Sequence, residues 1–375
     1  MSNVKTIGIL TSGGDAPGMN AAIRAVTMVG LSLGLKVIGI EQGYRGILEE
    51  RFVELSAERV ATLFREGGTI LHSSRCLEFH EVAVRDRARK ILRAKGIDGL
   101  VVIGGNGSLA GALALCNPEE AGAWAPAVIG IPASIDNDIG LTGMCIGVDT
   151  AINTIVEACD KISDTASAHD RNFIVEVMGR DSGYLAMTAG VASGADLVLF
   201  PESGRTKDDV VEVTTAAVVR KRRGESMAGS TLIIKAEGVG ISPDELKKRL
   251  HVRLIEELGE KEAATVETRI TVLGHVVRGG RPSAFDRLLG SRLGNVAVRA
   301  LAAGETSKMI AWMAPVQMSE KLGIRSAFDH CCWLADLQAT LDETEKLVQG
   351  DSIVVQWRAA MLNGLEEVHG KEKTL

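Results

Sequence analysis

The sequence predicts an α/β protein built on mainly parallel β-sheets. Eight short runs are rich in Val, Ile and Leu and are apolar throughout instead of alternating, which is typical of strands buried on both faces. Stretches with helical periodicity separate these runs, so strands and helices alternate along most of the chain. This alternation indicates a doubly wound, Rossmann-like arrangement.

The predicted elements follow one another in a regular order. The apolar runs that predict strands are residues 6–10, 36–40, 99–103, 127–131, 173–177, 197–200, 231–234 and 269–273. The stretches that predict helices are residues 18–33, 81–95, 107–115, 148–165, 206–223, 243–258 and 285–303. From residue 335 onward the sequence is more polar and charged, and we expect a peripheral helix with a frayed end.

The length of 375 residues exceeds what one hydrophobic core usually supports, so we expect two domains. Hydrophobic residues form 46% of the chain and charged residues 24%, values that are typical of globular proteins and exclude disordered or disulfide-stabilised classes. The 42 glycines predict close backbone approaches. A domain break is predicted near residue 147, after an Asp-rich loop.

The charge balance excludes several classes of partner. The chain has 42 basic and 48 acidic residues and a net charge of −6, so no general attraction to nucleic acid or to an anionic membrane is expected. The six cysteines show no Cys-x-x-Cys spacing, and we recognise neither a signal peptide nor an apolar stretch that could span a bilayer. These features predict reduced thiols and a cytoplasmic location.

Two glycine-rich turns follow predicted strands. Thr11–Asn20 leads from the first strand into a helix, and Ile103–Ser108 does the same after the strand at 99–103. Backbone N–H groups and helix N-termini at such turns bind phosphate. Ligands of doubly wound sheets bind outside the carboxyl ends of the strands. Close packing is the alternative role for one such turn, but two turns on one edge favour a nucleotide or diphosphate.

Two carboxylates follow the strand at 127–131, within the segment Ser134–Asp138. Asp136 and Asp138 are expected at the same sheet edge as the glycine turns. Carboxylates beside phosphates hold Mg²⁺ or accept a proton. The alternative is an Asx-type turn in which Asp136 or Asp138 caps the following backbone. The neighbouring glycine turns favour a role in Mg²⁺ binding or proton transfer over a capping role.

Basic residues cluster on loops beside the later strands, namely His169, Arg171, Arg180, Arg269, His275 and Arg278. An arginine at a strand-to-helix turn can hold a phosphate in two-point contact, although a surface salt bridge is the usual role of any single arginine. Two basic loops suggest a second phosphate on a second ligand. Glu237 is suited either to a sugar hydroxyl or to an arginine, and the cysteines are interpreted as buried or incidental thiols.

Taken together, these motifs resemble bacterial 6-phosphofructokinases. The segments that carry the resemblance are Gly13–Asn20, Ser134–Asp138, Val175–Arg180, Glu267–Arg269 and Leu273–Gly280. Their order and spacing agree with the family over about residues 4–300, whereas the C-terminal part resembles it poorly.

The resemblance implies a phosphofructokinase fold of two αβα domains that transfers a phosphoryl group from ATP with Mg²⁺ to the 1-hydroxyl of fructose 6-phosphate, a reaction of glycolysis. It implies a larger nucleotide-binding domain formed by residues 1–147 and about 277–325. The smaller sugar-phosphate-binding domain then comprises residues 148–276 and about 326–375, with a C-terminal helical tail. A homotetramer with sites shared between subunits is also implied.

The resemblance also assigns roles to individual residues. Asp136 is implied to be the general base for the 1-hydroxyl, with Ser134 beside it, and Arg180 to stabilise the transferring phosphoryl group. The residues implied to line the nucleotide are Gly14, Arg75, Cys76, Gly105, Asn106, Gly107 and Ser108. Those implied to contact the sugar are Ile135, Met178, Gly179, Glu237 and His275. The 6-phosphate is implied to bind Arg171, Arg269 and Arg278, the first two reaching across from a neighbouring subunit.

The sequence departs from the family at the metal site. Asn106 stands where the family usually has Asp, so one negative charge is missing beside the nucleotide. We expect Asn106 and Asp138 to hold Mg²⁺ with weakened affinity, because this ion prefers carboxylates and phosphates.

The effector site is altered too. Arg24 is retained, but Met28 and Ser163 stand where bacterial members usually present arginines to effector phosphates. Control by ADP or phosphoenolpyruvate is therefore expected to be absent or blunted.

Three alternatives stay open at this point. Pyrophosphate-dependent members resemble the chain less, since they carry an acidic residue where Gly107 stands and a lysine where Ala133 stands. A related acceptor such as sedoheptulose 7-phosphate is the second alternative. The third is a weakly active regulatory paralogue that binds sugar phosphate. Its main support is Asn106, while retention of Asp136 and of the sugar-site arginines counts against it.

Overall fold

The computed structural model describes residues 4–122, 124–223, 230–313, 324–356, 358 and 360. The chain divides into two compact units, the first comprising Met1–Thr150 with Arg278–Lys346 and the second Ala151–Val277 with Leu347–Leu375. In the part described, no helix is both long and apolar enough to cross a membrane.

The strands, in chain order, are β1 Thr6–Ser12, β2 Lys36–Ile40, β3 Phe52–Glu54, β4 Gly99–Gly104, β5 Ala127–Pro132, β6 Asn172–Val177, β7 Leu197–Leu199, β8 Leu232–Ala236, β9 Thr268–Val272, β10 Lys308–Trp312, β11 Ile324–Arg325 and β12 Cys332–Asp336. The α-helices are α1 Met19–Ser32, α2 Gly43–Leu48, α3 Ala57–Val60, α4 Val82–Ala94, α5 Asn106–Cys116, α6 Pro118–Ala121, α7 Val148–Ser167, α8 Tyr184–Ala192, α9 Lys207–Arg222, α10 Pro243–Leu258, α11 Glu260–Ala263, α12 Ala284–Ala303 and α13 Leu337–Gln349.

The first unit is built on an eight-stranded sheet in the order β11-β12-β10-β5-β4-β1-β2-β3. The central pairs β10–β5, β5–β4, β4–β1 and β1–β2 are parallel, and antiparallel strands complete both edges. The strands β1, β4 and β5 are almost wholly buried because helices cover both faces of a parallel sheet. Because β1, β4 and β5 run parallel, their carboxyl ends lie at the same edge of the sheet.

One buried carboxylate connects the two segments of the chain that form the first unit. Asp286 in α12 is fully buried and accepts hydrogen bonds from the backbone N–H groups of Gly147 and Thr150, each at 2.8 Å, and from the Thr150 hydroxyl at 2.6 Å. Burial raises the pKa of the Asp286 carboxyl, and these donors partly offset that effect. The start of α12 is thereby joined to the start of α7.

The second unit is built on a four-stranded parallel sheet in the order β7-β8-β6-β9. A buried ion pair lies on this sheet: Lys235 Nζ is 2.8 Å from Oε2 of Glu176 on the neighbouring strand, and the Lys235 side chain is 1% exposed. The strand β9 forms one edge, and its register with β6 pairs Asn172 with Thr268.

The predicted fold class is confirmed, since all eight apolar runs form strands and the seven helical stretches form helices. The prediction for the C-terminal region is wrong in part. Residues 326–346 belong to the first unit, because β12 pairs antiparallel with β10 and α13 follows it directly. Residues 361–375 of the expected frayed end lie outside the described residues.

Candidate active site

A cleft of about 560 Å³ opens in the first unit at the carboxyl ends of β1, β4 and β5. Its volume is that of a small-molecule site. Every residue expected at the nucleotide lines it, together with Ser134, Asp136, Asp138 and Arg278. These nucleotide residues are Gly14, Arg75, Cys76, Gly105, Asn106, Gly107 and Ser108.

The first glycine turn lies against an arginine. A Cβ atom added at Gly14 would lie 2.8 Å from Nη1 of Arg278, and the same nitrogen donates a 3.3 Å hydrogen bond to the Asp15 carbonyl oxygen. Gly18 caps α1 with a left-handed φ of 114° that a residue with a side chain rarely adopts. Glycine therefore brings main-chain N–H groups and a guanidinium together at the start of α1.

The second glycine turn starts α5. Gly105 is its N-cap, Asn106 and Gly107 are exposed first-turn residues, and Ser108 is buried. A Cβ atom added at Gly107 would have no described atom within 4 Å. The N-terminal residues of this helix line the cleft, with open space around Gly107, and a helix N-terminus in such a position suits a phosphate.

Two stacked aromatic rings, Tyr44 and Phe79, form one wall of the cleft and are called the aromatic slot below. The rings of Tyr44 and Phe79 stack with centroids 4.2 Å apart, and the Tyr44 hydroxyl donates a 2.6 Å hydrogen bond to the Ser108 carbonyl oxygen. The ring of Tyr44 approaches α5 closely, because a Cβ atom added at Gly111 would lie 2.9 Å from its Cε2. Burial raises the pKa of Tyr44, which keeps the hydroxyl protonated as a donor.

Arg85 supports the segment that carries Phe79. Its side chain is 8% exposed, forms two 2.8 Å hydrogen bonds to the Glu120 carboxylate, and donates from Nη1 to the carbonyl oxygens of Phe79 and His80. Hydrogen bonding from Arg85 lowers the pKa of Glu120. Both Arg85 and His80 line the cleft.

The carboxylate loop is held by its asparagine. Asn137 is 2% exposed and has a left-handed φ of 47°; its Oδ1 accepts from Cys145 N at 2.9 Å. The Ser134 hydroxyl donates to Asp138 Oδ1 at 2.7 Å. Asp136 and Asp138 both line the cleft, whereas the side chain of Ile135 is fully buried. Any contact of Ile135 with a ligand would therefore come from its main chain.

The oxygen donors of the cleft fit Mg²⁺. Asn106, Asp136 and Asp138 line the same cavity, and hard oxygen ligands suit this ion. Among the described residues, no three His, Cys, Asp or Glu side chains converge here; the one such group is Asp329, His330 and Cys331. A nucleotide's Mg²⁺ needs only one or two carboxylates besides the phosphates, so this smaller donor set is sufficient.

The second unit carries a separate set of predicted residues at the carboxyl ends of its strands. Met178, Gly179 and Arg180 follow β6, Glu237 follows β8 and His275 follows β9. The Gly238 N–H donates to the Gly179 carbonyl oxygen at 3.0 Å, which joins two of these loops. Arg180, Glu237 and His275 are exposed, while Met178 is buried.

Arg171 and Arg269 lie at the opposite end of the same sheet. Arg171 immediately precedes β6 and Arg269 is the second residue of β9, so both are at the amino ends of the strands. The six residues of β6 span roughly 20 Å between Arg171 and Met178. Within one chain, the structure therefore does not bring these two arginines to the residues expected at the sugar, and it places Arg278 beside Gly14 in the first unit.

Two residues of the altered effector motif, Arg24 and Met28, lie on α1. Arg24 donates from Nε to the Ala61 carbonyl oxygen at 3.2 Å, and its guanidinium lies 5.2 Å from the Phe64 ring centroid. Met28, one turn later on α1, is 37% exposed and uncharged.

The thiols vary in burial. Cys331 and Cys332 are buried, and burial raises the pKa of Cys332 to about 12, so this thiol is unreactive at neutral pH. Cys76 is partly exposed at the cleft, and its pKa is raised, chiefly by burial.

Comparison with known proteins decides the family. Residues 6–301 match the sequence profile described as Phosphofructokinase. The chain belongs to the phosphofructokinase family. The resemblance drawn from the motifs is thus confirmed.

Relatives with similar sequences share one name within this family. The chain is 48% identical over 308 residues to the "ATP-dependent 6-phosphofructokinase" of Thermotoga neapolitana, covering 82% of this chain and 90% of the relative. It is 45% identical over 330 residues to the protein of that name from Clostridium botulinum (strain Eklund 17B), covering 87% and 96%.

Solved phosphofructokinases have the same fold. The Pichia pastoris enzyme in the T-state superposes with a TM-score of 0.80 at 33% identity, over 96% of this chain and 40% of that one. The present chain thus spans less than half the length of that protein. The pyrophosphate-dependent phosphofructokinase of Marinobacter aquaeolei has a TM-score of 0.74 at 21% identity over 90% and 84%, which bears on the fold alone.

Sequence reasoning did not find every residue of this phosphofructokinase cleft. It missed Tyr44, Phe79, His80, Arg85 and Gly111. One signal was available: a glycine inside a helix costs about 1 kcal/mol relative to alanine, so Gly111 points to a close neighbour. It did not show that the neighbour is Tyr44.

Proposed function

We propose that this chain is an ATP-dependent 6-phosphofructokinase that converts fructose 6-phosphate to fructose 1,6-bisphosphate, a step of glycolysis. The observation that carries the proposal is the cleft of the first unit, where two glycine turns, an aromatic slot and two carboxylates share one cavity. The names of the relatives at 44–48% identity agree with it.

A nucleotide is the donor that this cleft fits best. Pyrophosphate has no base, so it would leave the apolar wall formed by Tyr44 and Phe79 without a function, whereas the base of a nucleotide can pack against such a wall. The open space at Gly107 and the small Ala133 also leave room for phosphates that an acidic side chain or a lysine would fill. ATP is therefore favoured over pyrophosphate.

Phosphoryl transfer depends on positioning and on charge neutralisation. We assign Asp136 as the base that accepts the proton of the acceptor hydroxyl, because it is a carboxylate lining the phosphate cleft. Ser134 holds Asp138 through its 2.7 Å hydrogen bond. The exposed guanidinium of Arg180 is suited to the negative charge of the transferring phosphoryl group.

Mg²⁺ would be held by Asp138 and the amide oxygen of Asn106, with the donor's phosphates completing its coordination. When bound, the ion supplies positive charge that offsets the phosphate oxygens. With Asn in place of Asp at position 106, the protein contributes one charge fewer, so we expect a higher Mg²⁺ requirement.

The acceptor phosphate would meet arginines from two copies of the chain. Arg171 and Arg269 lie at the amino ends of β6 and β9, about 20 Å from Met178 at the carboxyl end. This separation supports a homo-oligomer, proposed as a homotetramer, in which these arginines complete a neighbour's site. We assign Met178, Gly179, Glu237 and His275 to the sugar, and Arg278, which lies beside Gly14, to the 6-phosphate of the sugar.

The compartment follows from the thiols. The six cysteines are free, and thiols persist in reducing environments, so we propose a cytoplasmic enzyme.

The test is fructose 1,6-bisphosphate formation by the purified protein with Mg²⁺ and with ATP, GTP or pyrophosphate as the donor. Turnover with ATP is expected, and Asp136→Asn should reduce kcat by about 10²–10⁴-fold while fructose 6-phosphate binding remains. Asp160→Asn, which makes the same change at an exposed position of α7, is the matched control.

Two results would contradict the proposal. Turnover with pyrophosphate alone would overturn the donor assignment. No turnover with any donor, despite sugar-phosphate binding, would favour the regulatory paralogue or another acceptor sugar.

A further inference from the structure

A single carboxylate connects two arginines of the second unit. Glu267 accepts a hydrogen bond from Nε of Arg171 through its Oε2 and an ion-pair contact from Nη2 of Arg269 through its Oε1. Each carboxylate oxygen thus serves a different guanidinium. The side chains are 28% (Arg171), 52% (Arg269) and 41% (Glu267) exposed, so the cluster is open to solvent.

The strand register fixes this cluster. Asn172 N donates to the Glu267 carbonyl oxygen at 2.9 Å, which sets Arg171 beside Glu267 at the amino ends of β6 and β9. Glu267 and Arg269 are two residues apart on an extended chain, so their side chains point to the same face. Asn172 is 3% exposed and its Oδ1 accepts a hydrogen bond from the N–H of Thr231 at 3.1 Å, which links the backbone beside the cluster to the residue that precedes β8.

The charges leave the cluster ready for an anion. Two guanidinium groups and one carboxylate carry one net positive charge, and each arginine keeps N–H groups that Glu267 does not use. The hydrogen bond from Arg171, with a smaller influence of Arg269, lowers the pKa of Glu267, so the carboxylate stays ionised at neutral pH.

We infer that Glu267 is a positioning residue that holds Arg171 and Arg269 side by side as a paired receptor for the 6-phosphate of a sugar bound by a second copy of the chain. This inference rests on the proposed function. Without Glu267 the two like charges repel and their long side chains regain rotamer freedom, so a phosphate must order both as it binds. The loss of orientation outweighs the gain of one net positive charge.

A salt bridge with a purely structural role would contribute only to stability, and removing its carboxylate would leave the KM for the sugar phosphate unchanged. Exposed ion pairs contribute little to stability, so the thermal midpoint should change little in either case. The inference predicts a change in one kinetic constant, the KM for the sugar phosphate.

The experiment compares steady-state kinetics of wild type with Glu267→Gln and Glu267→Asp. Glu267→Gln should raise KM for fructose 6-phosphate about tenfold, with kcat within about twofold and KM for ATP unchanged, as expected for lost ground-state binding. Glu267→Asp keeps the charge on a shorter side chain and should recover part of the loss. Glu262→Gln, the same change at an exposed position of α11, is the control.

Direct binding of fructose 6-phosphate, followed by calorimetry, separates this inference from the proposed function. Wild type that binds the sugar phosphate without turnover would refute the proposed function, and the Kd of Glu267→Gln would still test the inference. An unchanged or lower KM or Kd in Glu267→Gln would overturn it. So would parallel changes of kcat and both KM values, or wild type that does not bind the sugar phosphate.

Discussion

The contact between Gly111 and Tyr44 provides a test of the aromatic slot. A methyl group added by Gly111→Ala would lie 2.9 Å from Cε2, 3.0 Å from Cζ and 3.1 Å from Oη of Tyr44. The ring cannot withdraw easily, because it is 4% exposed, stacked on Phe79 at 4.2 Å and bonded to the Ser108 carbonyl oxygen at 2.6 Å. The substitution therefore forces the slot to change.

Two opposing terms set the magnitude. Alanine in a helix interior stabilises by up to about 1 kcal/mol relative to glycine, whereas overpacking a tight contact costs about 1–3 kcal/mol. Gly107→Ala on the same helix meets no described atom within 4 Å. The propensity gain at the interior position Gly111 is at least as large as that at the first-turn position Gly107, so the difference in unfolding free energy between the two variants is a lower bound on the overpacking cost of about 1–3 kcal/mol.

The assay is urea unfolding of both variants, followed by circular dichroism, together with KM for ATP and for fructose 6-phosphate. Gly111→Ala should be the less stable variant. It should also raise KM for ATP severalfold while KM for the sugar phosphate stays near the wild-type value. Equal stability of the two alanine variants, or an unchanged KM for ATP in Gly111→Ala, would refute the assignment of Tyr44 as a rigid wall of the nucleotide site.

Three further predictions concern charge and assembly. Asn106→Asp should lower the Mg²⁺ concentration that gives half-maximal rate, since it adds a carboxylate beside the nucleotide; an unchanged Mg²⁺ titration would place the ion elsewhere. Because Arg85 lowers the folded-state pKa of Glu120, the stabilisation it provides is complete above the unfolded pKa of about 4.3 and is lost as pH falls through the folded value. Glu120→Gln should therefore lower Tm at pH 7 and converge with wild type once the pH falls below the lowered pKa of Glu120, and a Tm difference that stays constant as the pH falls would contradict this. Mixing Arg171→Ala and Asp136→Asn subunits by co-refolding should restore activity in hybrid sites. If hybrid assembly is verified and the mixture stays as inactive as each variant alone, sites are not shared between subunits.

The sheets were predictable because their strands are buried on both faces. Runs such as Gly99–Gly104 and Ala127–Pro132 contain almost no polar residue, so their burial is visible without tertiary information. The short edge strand Ile324–Arg325 has no such pattern. The strand Cys332–Asp336 was not predicted, and its last two residues fell in the expected helical tail, because its pairing with Lys308–Trp312 is a long-range property. Membership of residues 326–346 in the first unit follows from that pairing and from contacts of α13, such as the hydrogen bond from the Gly140 N–H to the Thr344 hydroxyl.

The candidate site was predictable where chemistry follows a strand directly. The turns at Gly14 and Gly105 and the carboxylates Asp136 and Asp138 come at strand ends, and all of them line one cleft. Tyr44 and Arg85 come from α2 and α4, where nothing in the local sequence distinguishes a cavity wall from an ordinary core residue. Glu267 was visible as part of a motif, but its bonds to two arginines depend on the register of β6 with β9.

The order of strands in the first sheet has a consequence for synthesis of the chain. β5 (Ala127–Pro132) pairs with β10 (Lys308–Trp312), and all four strands of the second sheet are encoded between them. At about 5–20 residues per second, one edge of β5 waits roughly 10–35 s on the ribosome for its partner. All strands of the second sheet are synthesised before the first sheet can close, and an apolar strand edge exposed for that time invites aggregation. Chaperone demand should therefore peak before residue 308 emerges.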